Sequence, residues 1–178
     1  LNLYFLFDIF FYKFFSLKFC CIAILSNTFF YILGYYDDLK DLSPKKKSFL
    51  IILFLLLLIP FDQNLVIKSL LFENITNKEI ILNQSSIFLT IFFIYIFYNF
   101  MNFIDGLNGI AISVSVFFII VLGIERDFFL DLEILIIICL FYCLYLNIRN
   151  KSFLGNSGVS LLGVFISTFF IREYNLNQ

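Results

Sequence analysis

Two adjacent carboxylates, Asp37 and Asp38, follow a long apolar run in this 178-residue chain. Three consecutive lysines, Lys45, Lys46 and Lys47, come shortly after them. Adjacent carboxylates repel each other unless a cation lies between them, so such a pair suits Mg²⁺ binding or a general base beside a metal. Acids at a helix boundary near lysines are also common in membrane proteins. The dipeptide alone therefore leaves both interpretations open.

A second polar cluster, residues 99–109, is more specific and reads Asn-Phe-Met-Asn-Phe-Ile-Asp-Gly-Leu-Asn-Gly. Asn102, Asp105 and Gly109 are spaced i, i+3 and i+7, which predicts an amide, a carboxylate and a bare backbone on one helical face. Asn99 lies at the edge of the same stripe. Close helix packing would explain the glycines. It would not explain three hydrogen-bonding side chains at regular spacing, so the pattern favours a functional site.

A third polar cluster, Gly155-Asn156-Ser157-Gly158, precedes the last apolar run. Glycines around Asn and Ser at the start of a helix leave backbone N–H groups free to hold an anion, and the helix dipole adds to the attraction. The same residues also form an ordinary capped turn. This cluster alone does not distinguish the two.

The composition indicates an all-α integral membrane protein. Hydrophobic residues make up 62% of the chain and charged residues 14%, with a mean hydropathy of +0.99, and the apolar runs approach the length that spans a bilayer. A net charge of −1 argues against a nucleic-acid partner, which would need a basic patch. All four cysteines lie in apolar runs and the chain has no histidine, so packing is favoured over a zinc site.

The apolar runs predict a polytopic helical bundle of about six transmembrane helices after an N-terminal stub. The stub covers residues 1–12, and the spans cover 19–36, 48–61, 87–104, 107–124, 132–148 and 159–171. Between the second and third spans, residues 65–67 and 80–82 are candidate strands of a short hairpin outside the lipid. We expect residues 1–178 to form a single transmembrane domain and to be a fragment of a longer protein.

Counting the spans places all three polar clusters on one side of the membrane, because each span reverses the side. The segments concerned are residues 37–47, 99–109 and 149–158. Each side carries six Lys or Arg residues, but one short loop on the motif side has three in a row. By the positive-inside rule this density predicts that the motifs face the cytoplasm.

Together the three clusters resemble the polyprenyl-phosphate N-acetylhexosamine-1-phosphate transferases of glycosyltransferase family 4. These membrane enzymes include undecaprenyl-phosphate GlcNAc-1-phosphate transferases and phospho-N-acetylmuramoyl-pentapeptide transferases. The matching motifs are Gly-x-x-Asp-Asp from Gly34, Leu-Ser-Pro-x-x-Lys ending at Lys47, Asn-x-x-Asn-x-x-Asp-Gly-x-Asn-Gly from Asn99 and Gly-x-Ser-Gly from Gly155. Their order, spacing and sidedness agree across residues 34–163.

The resemblance implies transfer of a sugar 1-phosphate from a UDP-N-acetylhexosamine to a polyprenyl (undecaprenyl) phosphate, releasing UMP and initiating cell-envelope glycan assembly. It implies a multi-pass protein of the bacterial inner membrane that uses Mg²⁺, with Mn²⁺ as the alternative, and that could form a homodimer. The implied catalytic residues are Asp37, Asp38 and Asp105. The implied substrate-binding residues are Asn99, Asn102, Asn108, Lys47, Gly155 and Ser157. The implied metal ligands are Asp38, Asp105 and Asn156.

The chain departs from the family pattern in two respects. Family members usually carry Asp where this chain has Asn156, and an amide brings no charge to the metal, so we predict weaker magnesium binding. The family also has a His- or Arg-containing loop further towards the C-terminus, which a fragment would lack. An inactive remnant or scaffold of the same family is therefore one alternative. A transporter is a weaker one, because it would place polar residues near the bilayer midplane rather than at span ends.

Overall fold

The structure, a computed structural model, describes residues 1–12, 15–72, 78–106, 109–125 and 131–176. Helices account for most of this part of the chain. They are α1 (Asn2–Phe7), α2 (Leu17–Lys40), α3 (Pro44–Leu58), α4 (Ser86–Ile104), α5 (Ile110–Glu125), α6 (Asp131–Ile148) and α7 (Gly155–Leu176). A π-helical turn, Asp8–Tyr12, continues α1, and two short strands, β1 (Ser69–Phe72) and β2 (Lys78–Ile81), separate α3 from α4.

Four helices in the described part of the chain are long and apolar enough to cross a membrane: Leu17–Lys40, Asn83–Ile104, Asp131–Ile148 and Gly155–Leu176. Helix α5 is apolar but has 16 residues, and α3 has 15 and begins with three lysines behind a proline. The predicted class, an all-α membrane protein, is confirmed. The count of six spans stays a prediction.

The helix bounds differ from the predicted spans mainly at their polar ends. Helix α2 continues to Lys40, so Asp37 and Asp38 belong to its last turn rather than to the loop behind it. The second predicted span ends as a separate 3-10 turn, Ile59–Phe61, around Pro60, because proline removes a backbone donor and disrupts the α-helix. Helix α7 begins at Gly155, so the third motif is its first turn.

The predicted strand at residues 65–67 is wrong. Gln63–Leu65 forms a 3-10 turn, and the side chain of Asp62 accepts a hydrogen bond from the backbone N–H of Asn64 at 3.0 Å. Leu65, Val66 and Ile67 are all buried, which does not match the alternation of a half-exposed strand. The antiparallel pair is instead β1 with β2, residues 69–72 and 78–81. The turn between them lies outside the described residues, and its placement outside the lipid stays a prediction.

Helix α7 is the central helix of the bundle and runs antiparallel to α2. The buried share of the apolar stretch that could span a membrane is 61% in α7, against 28% in α4 and in α6. At one end the carboxylate of Asp38 contacts the first turn of α7, and at the other end the rings of Phe19 and Phe169 lie 5.5 Å apart. A helix buried on most of its circumference forms the core against which its neighbours pack.

The short strands close the bundle at the end opposite the polar motifs. The hydroxyl of Tyr174, near the end of α7, donates to the carbonyl of Ser69 at 3.1 Å and accepts from the N–H of Leu71 at 3.0 Å. The amide of Asn175 donates to the carbonyl of Asn64 at 2.7 Å. Both ends of α7 are therefore fixed by hydrogen bonds to other segments, and the first-turn end carries the motifs.

Candidate functional site

The first and third motifs meet at the start of α7. Asp38 accepts hydrogen bonds from the backbone N–H groups of Asn156, at 3.0 Å to Oδ1, and of Ser157, at 3.3 Å to Oδ2. The first N–H groups of a helix have no partner within the helix, and the positive end of its dipole favours an anion. Asp38 supplies that anion from a different helix, so it fixes the end of α2 to the third motif.

Two glycines make this contact sterically allowed. Gly155 has a φ of +68°, and a Cβ there would lie 3.2 Å from Oδ2 of Asp38. A Cβ on Gly34 would lie 2.5 Å from both the carbonyl oxygen of Asn156 and the Cα of Ser157. Real Cβ atoms do not approach backbone atoms so closely, so α2 and α7 touch here only because position 34 has no side chain.

Asp37 stabilises the connection between α2 and α3 through both of its carboxylate oxygens. Its Oδ1 accepts from the N–H of Leu42 at 3.0 Å, and its Oδ2 forms an ion pair with Nζ of Lys47 at 2.6 Å. Partial burial would lower the pKa of the Lys47 ammonium, but the hydrogen bond to Asp37 and the neighbouring Tyr98 outweigh it, so the pKa lies above its ordinary value. The adjacent acids thus face different partners, which keeps their charges apart.

The Asp37–Lys47 pair forms part of the wall of a pocket of about 340 Å³ at the motif end of the bundle. Asn99, on α4, lines the same pocket, and its amide donates to the carbonyl of Tyr95 at 2.7 Å. The other residues that line it are Asp41, Leu42, Pro44, Ser48 and Ile51. The first and second motifs therefore share one cavity, which offers an ammonium group and an amide.

The second motif is not a single helical face, contrary to the sequence prediction. Helix α4 ends at Ile104, Asp105 is its C-terminal flanking residue, and α5 begins at Ile110 after Gly109, whose φ is +80°. Glycine adopts this left-handed conformation without the strain that a side chain would cause, and the helix is interrupted here. Asn108 lies outside the described residues, so its predicted role is untested.

Asp105 lies close enough to Asp38 for their charges to interact. Burial, and secondarily the Asp38 carboxylate, raise the pKa of Asp105 to about 6. Nearby, Asn102 donates from Nδ2 to the carbonyl of Tyr98 at 3.0 Å, while its buried Oδ1 makes no hydrogen bond to any residue that the structure describes. A hard cation would neutralise the two interacting carboxylates and would provide a partner for the buried amide oxygen.

The residues present fit a magnesium site of the kind completed by a substrate. No group of three or more His, Cys, Asp or Glu side chains that could hold a metal occurs among the described residues. Mg²⁺ in proteins is commonly held by one or two carboxylates together with substrate phosphates, and Asp38 with Asp105 meets that requirement. Asn156 contacts Asp38 through its backbone, so a metal-binding role for its side chain stays a prediction.

Sequence reasoning missed two buried polar residues beside the motifs. Asn147, on α6, donates to the carbonyl of Ser152 at 3.0 Å, and its Oδ1, which has no hydrogen-bond partner among the described residues, lies 4.0 Å from where a Cβ of Gly109 would be. Tyr98, on α4, contacts both Lys47 and Ser160. The spacing of Tyr98, four residues before Asn102, places the two on one face of α4 and could have identified it.

A bundle of apolar helices with carboxylates, amides and a lysine collected at one end is compatible with a multi-pass membrane protein whose polar site lies at the end of the bundle. The family model described as Glycosyl transferase family 4 matches residues 20–173, a range that contains all three motifs. The chain therefore belongs to glycosyl transferase family 4, as its motifs predicted. Membership makes it a transferase and supports, in general terms, a polyprenyl-phosphate sugar-1-phosphate transferase. No curated protein matches the chain.

Proposed function

We propose that this protein transfers an N-acetylhexosamine 1-phosphate from a UDP-sugar to a polyprenyl phosphate, releasing UMP, at the cytoplasmic face of a bacterial inner membrane. The observation that carries the proposal is the meeting of three separate motifs at one end of the bundle. Asp38 of the first motif binds the backbone of the third and influences the charge of Asp105 in the second. Phosphoryl transfer depends mainly on such positioning and on charge neutralisation.

In this reaction an oxygen of the polyprenyl phosphate attacks the β-phosphorus of the UDP-sugar. The bond from that phosphorus to the bridging oxygen breaks, and UMP leaves with the bond's electron pair. Lys47 and Asn99, which line the pocket beside Asp37, bind the acceptor phosphate. A proton that remains on this phosphate passes to Asp37. The product is the first lipid-linked sugar of a cell-envelope glycan.

Asp38 and Asp105 would hold Mg²⁺, or Mn²⁺ in its place, on the donor side of the site. Such an ion would supply positive charge to neutralise the diphosphate of the donor. Ser157 and Gly155 shape this side of the site, because the backbone turn that they form keeps the Asp38 carboxylate at the start of α7. The chain's own contribution is to keep these two carboxylates in place while the Lys47 ammonium balances the charge of the third acid, Asp37.

An Asp38→Asn variant tests this proposal. Asparagine retains one oxygen that can accept a backbone N–H, but it removes the charge that holds the metal. We expect UMP release from UDP-GlcNAc and undecaprenyl phosphate to fall by about a hundredfold or more, in line with the loss of a principal electrostatic group. Glu79→Gln, an exposed substitution on β2 at the opposite end, is the matched control. Undiminished UMP release by a folded Asp38→Asn protein would overturn the assignment.

A non-catalytic member of the same family is the second candidate, and Asn156 favours it. The amide at this position leaves the site with one carboxylate fewer than the family pattern. The same assay separates the two functions: a folded wild-type protein that releases no UMP at any Mg²⁺ or Mn²⁺ concentration is a remnant or scaffold. Circular dichroism and a cooperative melting transition would establish that the protein tested is folded.

A further inference from the structure

Tyr98 lies at the centre of the three motifs but belongs to none of them. It precedes Asn99 in α4, it is 1% exposed, and the ring of Phe30 packs against it with the ring centroids 5.6 Å apart. A buried tyrosine usually finds a partner for its hydroxyl, because an unsatisfied hydroxyl in an apolar environment is costly. The partners of Tyr98 connect it to two other helices.

The first partner is Lys47, at the start of α3. Its ammonium lies 5.5 Å from the centroid of the Tyr98 ring, within the range at which a cation is attracted to an aromatic face. The same ammonium forms the 2.6 Å ion pair with Asp37. Lys47 therefore lies between one carboxylate and one aromatic ring, which leaves part of its hydrogen-bonding capacity for a phosphate in the adjoining pocket.

The second partner is Ser160, in the second turn of α7. Its hydroxyl donates to the hydroxyl of Tyr98 at 3.2 Å, and both residues are buried. One turn further along α7, a Cβ on Gly163 would lie 3.5 Å from the Cα of Tyr98. The two helices are thus in close contact at this level, so the tyrosine hydroxyl has a fixed position relative to α7.

We propose that Tyr98 is a positioning residue that holds the Lys47 ammonium beside Asp37 and ties this ion pair to α7. The inference rests on the proposed function, in which Lys47 binds the acceptor phosphate. Tyr98 does not contact either substrate. It acts through Lys47, so its loss affects binding of the polyprenyl phosphate and not of the UDP-sugar.

A Tyr98→Phe variant removes only the hydroxyl. The backbone carbonyl of Tyr98, which accepts from Asn102, is unchanged. Tyr95→Phe is the matched control, because Tyr95 lies on the same helix and its hydroxyl pairs with Ser48 at 2.7 Å. We expect Tyr98→Phe to raise KM for undecaprenyl phosphate about fivefold, the equivalent of the one neutral hydrogen bond to Ser160 that fixes the ring beside Lys47. We expect KM for the UDP-sugar, and both constants of Tyr95→Phe, to stay at their wild-type values.

A second readout does not depend on activity. Acetylation of lysine side chains is measured by peptide mass spectrometry on the protein in membranes. The extent of labelling reports how accessible the Lys47 amine is, and an amine held in an ion pair is labelled less. Exposed Lys45 and Lys46 serve as internal references. We expect the labelling of Lys47 relative to these two to rise in Tyr98→Phe and not in Tyr95→Phe.

The outcomes separate this inference from the proposed function. Wild-type protein without UMP release would overturn the proposed function, and Lys47 labelling would then decide the role of Tyr98 alone. Unchanged labelling of Lys47 would overturn the positioning role. A fall in kcat together with a rise in both KM values would also overturn it. If Tyr98→Phe does not fold, Ser160→Ala provides the same readouts, because it removes the hydroxyl that donates to Tyr98; we expect changes in the same direction and of smaller size.

Discussion

Gly34 is the residue on which the contact between α2 and α7 depends. A Cβ at this position would lie 2.5 Å from two backbone atoms of α7, and backbone atoms cannot rotate away as a side chain can. We therefore predict that Gly34→Ala forces the helices apart and lowers the free energy of unfolding by about 1 to 3 kcal/mol, the usual effect of overpacking. Thermal unfolding followed by circular dichroism in detergent measures the change.

Gly106→Ala is the matched control for this substitution. Gly106 is also a motif glycine, but within the described part of the chain a Cβ there would meet only the carbonyl oxygen of Phe103, at 3.9 Å, which is an ordinary van der Waals distance. We expect the melting temperature of Gly106→Ala to stay close to that of the wild type. Equal melting temperatures for the two variants would contradict the close packing of α2 on α7.

Asn156 stands where the resemblance to the family implies an aspartate, and Asn156→Asp introduces that acid. The new carboxylate would lie near Asp38, which already accepts from the backbone N–H of residue 156, so we expect it to destabilise the protein without a divalent cation. With the added ligand charge we expect magnesium to bind about tenfold more tightly, since ligand charge tunes affinity in oxygen-ligand sites. The midpoint of a magnesium titration followed by melting temperature tests this without an activity assay. An unchanged midpoint would remove residue 156 from the metal site.

At the scale of elements, the connection from α2 to α3 depends on one ion pair. Asp37 is 7% exposed and accepts from both the Leu42 backbone and the Lys47 side chain. Removing the lysine leaves a largely buried carboxylate without its counter-charge. We predict that Lys47→Gln lowers the free energy of unfolding by about 3 kcal/mol, the lower end of the range for breaking buried pairs.

Lys46→Gln controls for the loss of a positive charge, because Lys46 is exposed; we expect a change within about 0.5 kcal/mol. The pH dependence of stability gives a second check. The pKa of Lys47 is raised in the folded protein, so its contribution is fully present below the ordinary lysine pKa of 10.5 and is lost as pH rises through the folded value. The stability difference between wild type and Lys47→Gln should therefore be constant from pH 7 to about pH 10 and decrease above that range.

The elements that could be predicted from the sequence are those set by uninterrupted apolar length. Helices α4 and α6 agree with their predicted spans to within one residue. The errors occur where a local interaction decides the backbone. Asp62 caps a 3-10 turn at the place of a predicted strand, and Gly109 adopts a positive φ where a continuous helical face was predicted.

The candidate site also has features that the sequence could predict and features that it could not. Its motif residues could be identified because carboxylates, amides and glycines stand out against apolar runs. Their partners could not: the bonds from the third motif to Asp38 use backbone N–H groups, which every residue carries. Tyr98 lies four residues before Asn102 and could have been singled out by that spacing, but the partner of its hydroxyl, Ser160, is 62 residues away and could not.

At the scale of the whole molecule, the structure places the lysine cluster and the two strands at opposite ends of the bundle. The proposed reaction requires the lysine end to face the cytoplasm, where a UDP-sugar is available. We predict that a cysteine introduced by Lys46→Cys, in a background with the four native cysteines replaced, reacts with a membrane-impermeant maleimide only after the cells are permeabilised. Glu79→Cys, on exposed β2, should react in intact cells. The reverse labelling pattern would place the motifs outside the cytoplasm and would contradict both the orientation and the proposed donor.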